Sequence, residues 1–284
     1  MDEGEALEIA AVTAERPRPP ERPTAVPWRA VALPAEHGGW GFLVEPVVLG
    51  LVLAPSGAGV CLALAAFAGF LARHPLRLWL LDRRKHARYP RTALAERFFT
   101  GYAVLALLLL TAGFTLARAP FWPALAVAAP IGLVALAFDV LGRSREALPE
   151  GAGAVALGAS ATAIALAGGT PAGLAWGAWA LLALRAVTSV LYVRARIRLD
   201  RGLAAGPRAV LAGHAVALAA ATGLAGAGWA PWLAPAVFFV LLSRAAWGLS
   251  SWRRPVRPRA LGFQELGYGI LTLALLAVGY RVGL

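Results

Sequence analysis

The sequence predicts an all-α integral membrane protein of about nine transmembrane helices, and three observations carry that prediction. Apolar segments fill almost the whole stretch from Trp40 to Leu284. Hydrophobic residues make up 59% of the chain and mean hydropathy is +0.67, well outside the usual soluble range. The third observation is the placement of charge. Of the 27 Lys and Arg residues, all but Arg118 and Arg281 lie in the N-terminal segment, in every second gap between apolar runs, or in the helix halves that lead into those gaps. A soluble fold has no reason to sort charge by alternate loops.

A helix needs roughly 20 apolar residues to cross the hydrocarbon core, so interruptions by Pro, Gly and charge divide the chain into spans. The nine run over Trp40 to Ala54, Gly57 to Leu81, Leu94 to Ala117, Phe121 to Val140, Gly151 to Gly168, Gly173 to Val193, Ala209 to Gly226, Pro231 to Ser251 and Phe263 to Tyr280. The first is short and contains Pro46, and the fifth is rich in Gly and Ala. The gaps after spans one, five and seven carry no charge. Because positive residues are retained on the cytoplasmic side, the N-terminus is expected in the cytoplasm of a cell-membrane protein and the C-terminus outside.

Residues 1–33 are acidic and then proline-rich, with too few apolar side chains to bury a core, and read as a disordered cytoplasmic tail ahead of a polytopic domain over 34–284. The opening lacks the basic start and apolar run of a signal peptide. All positive residues except Lys85 are arginine, which a GC-rich genome produces by itself. The pI of about 11.3 therefore does not point to nucleic acid, and no basic stripe interleaved with aromatics does so either. The single Cys61, inside span two, excludes an intrachain disulfide and a Cys-cluster metal site. Neither a cofactor nor a metal is expected.

Polar residues within spans are costly and often mark a functional cavity. At the opening of span one stand Glu36-His37-Gly38-Gly39-Trp40, then Glu45 and Pro46. On a helix Glu36 and Trp40 share a face; His37 beside a carboxylate suits a proton relay or one metal ligand, and an interfacial cap with Trp40 in the aromatic belt is the alternative. Arg73 and Arg77 close span two one helical turn apart, so both can point at one anion, with Pro75 between them able to distort the turn. Span six has the clearest geometry. Arg185, Thr188 or Ser189, Tyr192 and Arg196 recur at three- and four-residue steps and form one stripe ending at the cytoplasmic face. Arg185 either faces a ligand or forms an internal ion pair, with Glu45, Asp139 or Glu265 as partner. Glu265 and Tyr268 open span nine on one face, while His214 in span seven reads as a hydrogen-bonded packing residue.

No Walker loop, Gly-x-Ser-x-Gly elbow or His-Glu-x-x-His is present, and no clear inverted repeat. The Glu36-His37-Gly38-Gly39-Trp40 opening, the basic gap after span two and the nine-span layout resemble the YwiC-like membrane proteins. More loosely, the layout is similar to a UbiA-like bundle, the nine-helix fold of intramembrane prenyltransferases with a cavity open to the cytoplasm. Gly142-Arg143-Ser144-Arg145, Leu148-Pro149-Glu150 and Tyr192-Val193-Arg194-Ala195-Arg196 echo it locally. Those enzymes resemble one another in two Asp-rich motifs that hold Mg ions against a diphosphate. Here the corresponding positions offer only Asp82 and Asp200, a poor cage for a metal-diphosphate.

Three functions follow as expectations. The first is a YwiC-like membrane protein that binds an anionic isoprenoid or other lipid in a cytoplasm-facing cavity, with membrane lipids as its partners and arginines in place of metal ions. The others are a divergent prenyltransferase and a small-anion transporter. The sequence leaves open whether the protein is an enzyme. The expected ligand-binding set is Glu36, His37, Trp40, Glu45, Arg73, Arg77, Arg185, Tyr192, Arg196, Glu265 and Tyr268.

Overall fold

The computed structural model describes residues 26–34, 37–143 and 146–283, with only the backbone of His37 and Gly38. All regular structure among the described residues is helical. The order is α1 (Trp28–Ala32), α2 (His37–Leu53), α3 (Gly57–Arg84), α4 (Pro90–Leu116), α5 (Trp122–Val140), α6 (Ala147–Ala167), α7 (Ala172–Asp200), α8 (Pro207–Gly226), α9 (Leu233–Leu249) and α10 (Pro258–Val282). Seven of these, α3 to α8 and α10, are long and apolar enough to cross a membrane; α2 and α9 are shorter apolar helices. At 17 residues each, they rise only about 25 Å.

Local chemistry fixes the helix starts. Ser56 caps α3 by accepting the Gly59 N–H at 3.0 Å. Proline occupies the first position of α4, α8 and α10, where its missing N–H costs nothing. Helix α3 runs unbroken through the buried Pro75.

Several helices are longer than their apolar runs, and the main extensions share one end of the bundle. Helix α3 continues past Leu81 to Arg84, α7 past Val193 to Asp200, while α4, α6 and α10 begin before Leu94, Gly151 and Phe263. All five extensions meet the arginine-bearing loops, so they form a basic face. Hydropathy marks only the part of a helix that suits hydrocarbon, whereas backbone hydrogen bonding carries the helix on into the polar layer.

The two faces are separately tied. On the basic face Arg84 donates to the Val140 carbonyl at 2.8 Å and Arg253 to that of Leu199 at 3.4 Å. On the opposite face the Arg118 N–H donates to the Ala167 carbonyl at 2.8 Å. The end of the segment read as a tail is folded here: α1 packs on α3 and α4, burying Val31 and Ala32, and Tyr102 donates to the Ala32 carbonyl.

Helices α2, α6 and α7 form the centre. Helix α6 packs against α2, α3, α4, α5 and α7, while α2 also meets α3, α7 and α10, and α7 meets α8, α9 and α10. In lipid, tails are as apolar as Leu, so close helix approach comes from small residues. A Cβ on Gly50 would lie 2.8 Å from Ile164 Cβ, and one on Gly177 would strike the Trp229 carbonyl. Helix α4 stands at the rim, with Leu107 and Leu108 mostly exposed.

Candidate functional site

Four charges, Glu45 and Arg185 buried and Arg244 and Glu265 nearly so, link α2, α7, α9 and α10. The Arg185 Nη1 of α7 lies 2.7 Å from Glu45 Oε2 of α2, and its Nη2 donates to the backbone carbonyl of Glu265 at 3.4 Å. The Glu265 carboxylate, on α10, accepts from Ser189 of α7 on one oxygen and from Arg244 of α9, at 2.5 Å, on the other. The Arg244 guanidinium stacks on Tyr192 at 4.1 Å from the ring centroid and on Tyr268 at 5.0 Å. Two carboxylates and two guanidiniums balance, which is the condition under which ions tolerate burial.

Two glycines make this approach possible. A Cβ at Gly269 would sit 2.3 Å from Glu45 Oε1 and 2.7 Å from Arg185 Nη2; one at Gly248 would overlap the Tyr192 hydroxyl. Helix α10 therefore presses directly on the ion pair, and α9 on Tyr192.

Beside the network a cavity of about 1110 Å³ opens between α9 and α10. Phe239, Val240 and Leu271 line the end toward the middle of the bundle. Ser243, Arg244 and Tyr268 form the waist, and Trp247, Trp252, Arg253 and Arg254 the end at the basic face. Phe239 to Gly248 covers about 14 Å of helix. Among the described residues the wall carries four arginines, Arg196 among them, and no carboxylate.

The wall arginines differ in what they have left to offer. Arg196 donates through Nε to Asp200 at 3.0 Å and through both terminal nitrogens to the carbonyls of Gly248 and Arg254. It clamps the end of α7 to α9 and the following loop. Arg244, though its side chain is only 6% exposed, has a buried Nε with no hydrogen-bond partner among the described residues. A buried unpaired donor is worth roughly 1–3 kcal/mol to any acceptor that fills it.

The structure divides the residues singled out in the sequence. It brings together Glu45, Arg185, Tyr192, Glu265 and Tyr268, with Arg196 at the edge. Of the partners considered for Arg185, Glu45 is the one its guanidinium pairs with, and Glu265 adds its backbone carbonyl. Arg73 and Arg77 stand instead on the seam of α3 and α5, where Arg73 Nε donates to Asp139 Oδ2 at 2.6 Å and Arg77 Nε to the Asp139 carbonyl at 3.4 Å. The space there, about 10 Å³, is at the limit for one water. The structure places Arg73 and Arg77 of the expected ligand-binding set apart from Arg185 and Arg196: side chains on α3 reach the end of α5, and those on α7 reach α2, α9 and α10. Trp40 packs edge-on against Phe70 of α3 at 5.1 Å. Glu36 and the His37 side chain lie outside the described residues. His214 is buried with Nδ1 bonded to the Val210 carbonyl at 2.9 Å.

Arg244 was missed, although the signal was present: an arginine inside the apolar run Pro231 to Ser251 bears the same penalty that drew attention to Arg185. The two isolated aspartates are engaged in structure. Asp82 accepts from Thr92 and Arg91, each at 2.8 Å, at the start of α4. Asp200 accepts from Arg196 and from the Val256 N–H at 3.3 Å. Among the described residues no three His, Cys, Asp or Glu side chains gather as a metal site.

Apolar helices in this number, with buried charges balanced inside the bundle, define an all-helical multi-pass membrane protein. Within that class, residues 33–165 match the family model described as YwiC-like protein, so from α2 to near the end of α6 the chain is similar to that family. Helices α7 to α10, and with them the whole lining of the cavity between α9 and α10, lie beyond the matched stretch. No curated protein and no solved structure matches the chain.

Proposed function

We propose that the protein binds an anionic amphiphile, an isoprenoid or other lipid with an acidic head group, in the cavity between α9 and α10. One observation carries this reading: a nearly buried arginine with an unfilled donor, Arg244, faces a cavity graded from apolar to cationic with no acid among the described residues of its wall. The head group sits at Arg244 and Ser243, and the tail runs along Phe239, Val240 and Leu271. Tyr192 and Tyr268 hold the guanidinium plane, Glu265 orients it, and the Glu45–Arg185 pair braces Glu265 from behind. In this reading α2 and α9 also cross the membrane, giving nine crossings in a cell membrane. The basic face is cytoplasmic, because all but two of the positive residues among the described ones lie at it or in the helix halves leading to it.

The test is lipid extraction from the purified protein, followed by mass spectrometry. Removing Arg244 alone strands Glu265, so the informative variant replaces both ions, Arg244→Gln with Glu265→Gln. Wild type should retain an anionic lipid enriched over the bulk membrane, and the double variant should lose it by about tenfold or more, the value of a charge-assisted contact. Equal retention by two equally stable proteins would refute the assignment.

A further inference from the structure

The two basic residues that escape the sorting of charge end up together. Arg118 lies in the loop between α4 and α5 and Arg281 in the last turn of α10, yet both line one cavity of about 370 Å³ on the face opposite the basic loops. The loops after α2, α6 and α8 on that face carry no charge at all. Arginine there works against the charge distribution that orients the chain, so their meeting at one place calls for a role.

The ordinary role of such arginines, capping the last carbonyls of a helix, is already filled for α6. Its Ile164, Ala165, Leu166 and Ala167 carbonyls accept from the N–H groups of Gly168, Thr170, Gly169 and Arg118, at 3.1, 2.9, 2.8 and 2.8 Å. Arg118 contributes its backbone, and its guanidinium is not needed for the cap. Neither the Arg118 nor the Arg281 side chain makes an ion pair or hydrogen bond among the described residues.

The frame around them is tightly fitted. A Cβ on Gly168 would come 2.4 Å from Ala54 Cβ, and one on Gly279 would come 2.6 Å from Pro231. Gly169, at φ +92°, takes a conformation that side chains rarely adopt, and the stem of Arg118 lies against it. Among the described residues the wall adds the hydroxyl-bearing Thr170 and Tyr280 and no carboxylate. Trp229 and Trp232, both exposed on this face, mark the level at which aromatic side chains meet lipid head groups.

We infer that this cavity is a second anion site, on the face opposite the basic loops, in which Arg118 and Arg281 together hold a phosphate-type oxyanion. Guanidinium forks match the spacing of phosphate oxygens. The volume takes a phosphate or the head group of a phospholipid and leaves the acyl chains outside. The site is independent of the cavity at Arg244.

The experiment compares wild type with the Arg118→Gln/Arg281→Gln variant, both in nanodiscs. In one arm, phosphatidylglycerol is added to neutral phosphatidylcholine discs and bound lipid is counted by native mass spectrometry; in the other, inorganic phosphate is titrated calorimetrically in neutral discs. Arg257→Gln/Arg259→Gln, on the basic face, is the control. A tenfold or greater loss of phosphatidylglycerol binding in the first variant alone identifies a head-group site. The same loss for phosphate identifies a free-ion site. Equal binding of both probes by wild type and variant, or an equal loss in the control, overturns the inference.

Discussion

The seam of α3 with α5 and the junction of α7, α9 and α10 are both rich in arginine, and they use it in opposite ways. On the seam, Arg73, Arg77 and Arg84 reach across to Asp139 and to the carbonyls that end α5, and almost no space is left between them. At the junction, the ions lie deeper, Arg244 keeps a donor unfilled, and about 1110 Å³ opens beside it. An arginine whose donors are taken up by the carbonyls at a helix C-terminus is stabilised there and needs no ligand. The number of arginines therefore does not locate a site; spare donors beside usable volume do. The seam also belongs to the stretch similar to the YwiC-like family, whereas most of the junction does not.

The largest effect expected from breaking this contrast is at the ion pair behind the cavity. Arg185→Ala leaves Glu45 buried without its charge partner and should lower stability by about 3–5 kcal/mol, read as a large fall in thermal midpoint in detergent. Glu45→Gln with Arg185→Gln should recover much of that loss. Additive losses from the two substitutions would show that they do not act as a pair.

Next comes the close approach of α10. Gly269→Ala would press a methyl into the Glu45–Arg185 pair, with an expected loss of about 1–3 kcal/mol. Gly267→Ala, two residues away with nothing within 4 Å of its Cβ, should be neutral or slightly stabilising, since Ala favours helix over Gly. Equal behaviour of the two would contradict the described contact of Gly269.

The smallest effect on retained lipid is expected on the seam. Arg73 is 37% exposed while its partner Asp139 is 1% exposed, so losing the arginine strands a buried carboxylate and lowers stability, but almost no space lies beside it for a ligand. Arg73→Gln/Arg77→Gln should leave the retained lipid unchanged. Loss of that lipid would bring the seam back into the site and erase the contrast between the regions.

Much of this was legible in the sequence for identifiable reasons. Hydropathy and the sorting of arginine gave the helices and the two faces, because both follow from the bilayer alone. The three- and four-residue steps from Arg185 to Arg196 gave one wall of the junction, because the pattern repeats along a single helix. What depended on partners from elsewhere in the chain was not visible. Arg244 looked like one more charge approaching a basic loop, and only the placement of Glu265, Tyr192 and Tyr268 around it distinguishes it. Gly248 and Gly269 are ordinary helical glycines until another helix is laid on them. Arg73 and Arg77 have ideal spacing for an anion, but α5 ends beside them and takes their hydrogen bonds.

The central claim, that the space between α9 and α10 holds an anionic amphiphile, is tested most directly by filling it while leaving every charge in place. Gly267 lines the cavity and has open space at its Cβ, so Gly267→Trp should occupy the pocket without disturbing the Arg244–Glu265 pair. The measurement is anionic lipid retained per protein after purification, by mass spectrometry, alongside the thermal midpoint. The account predicts at least a tenfold fall in retained lipid at an unchanged midpoint; an unchanged lipid complement in the folded variant would contradict it.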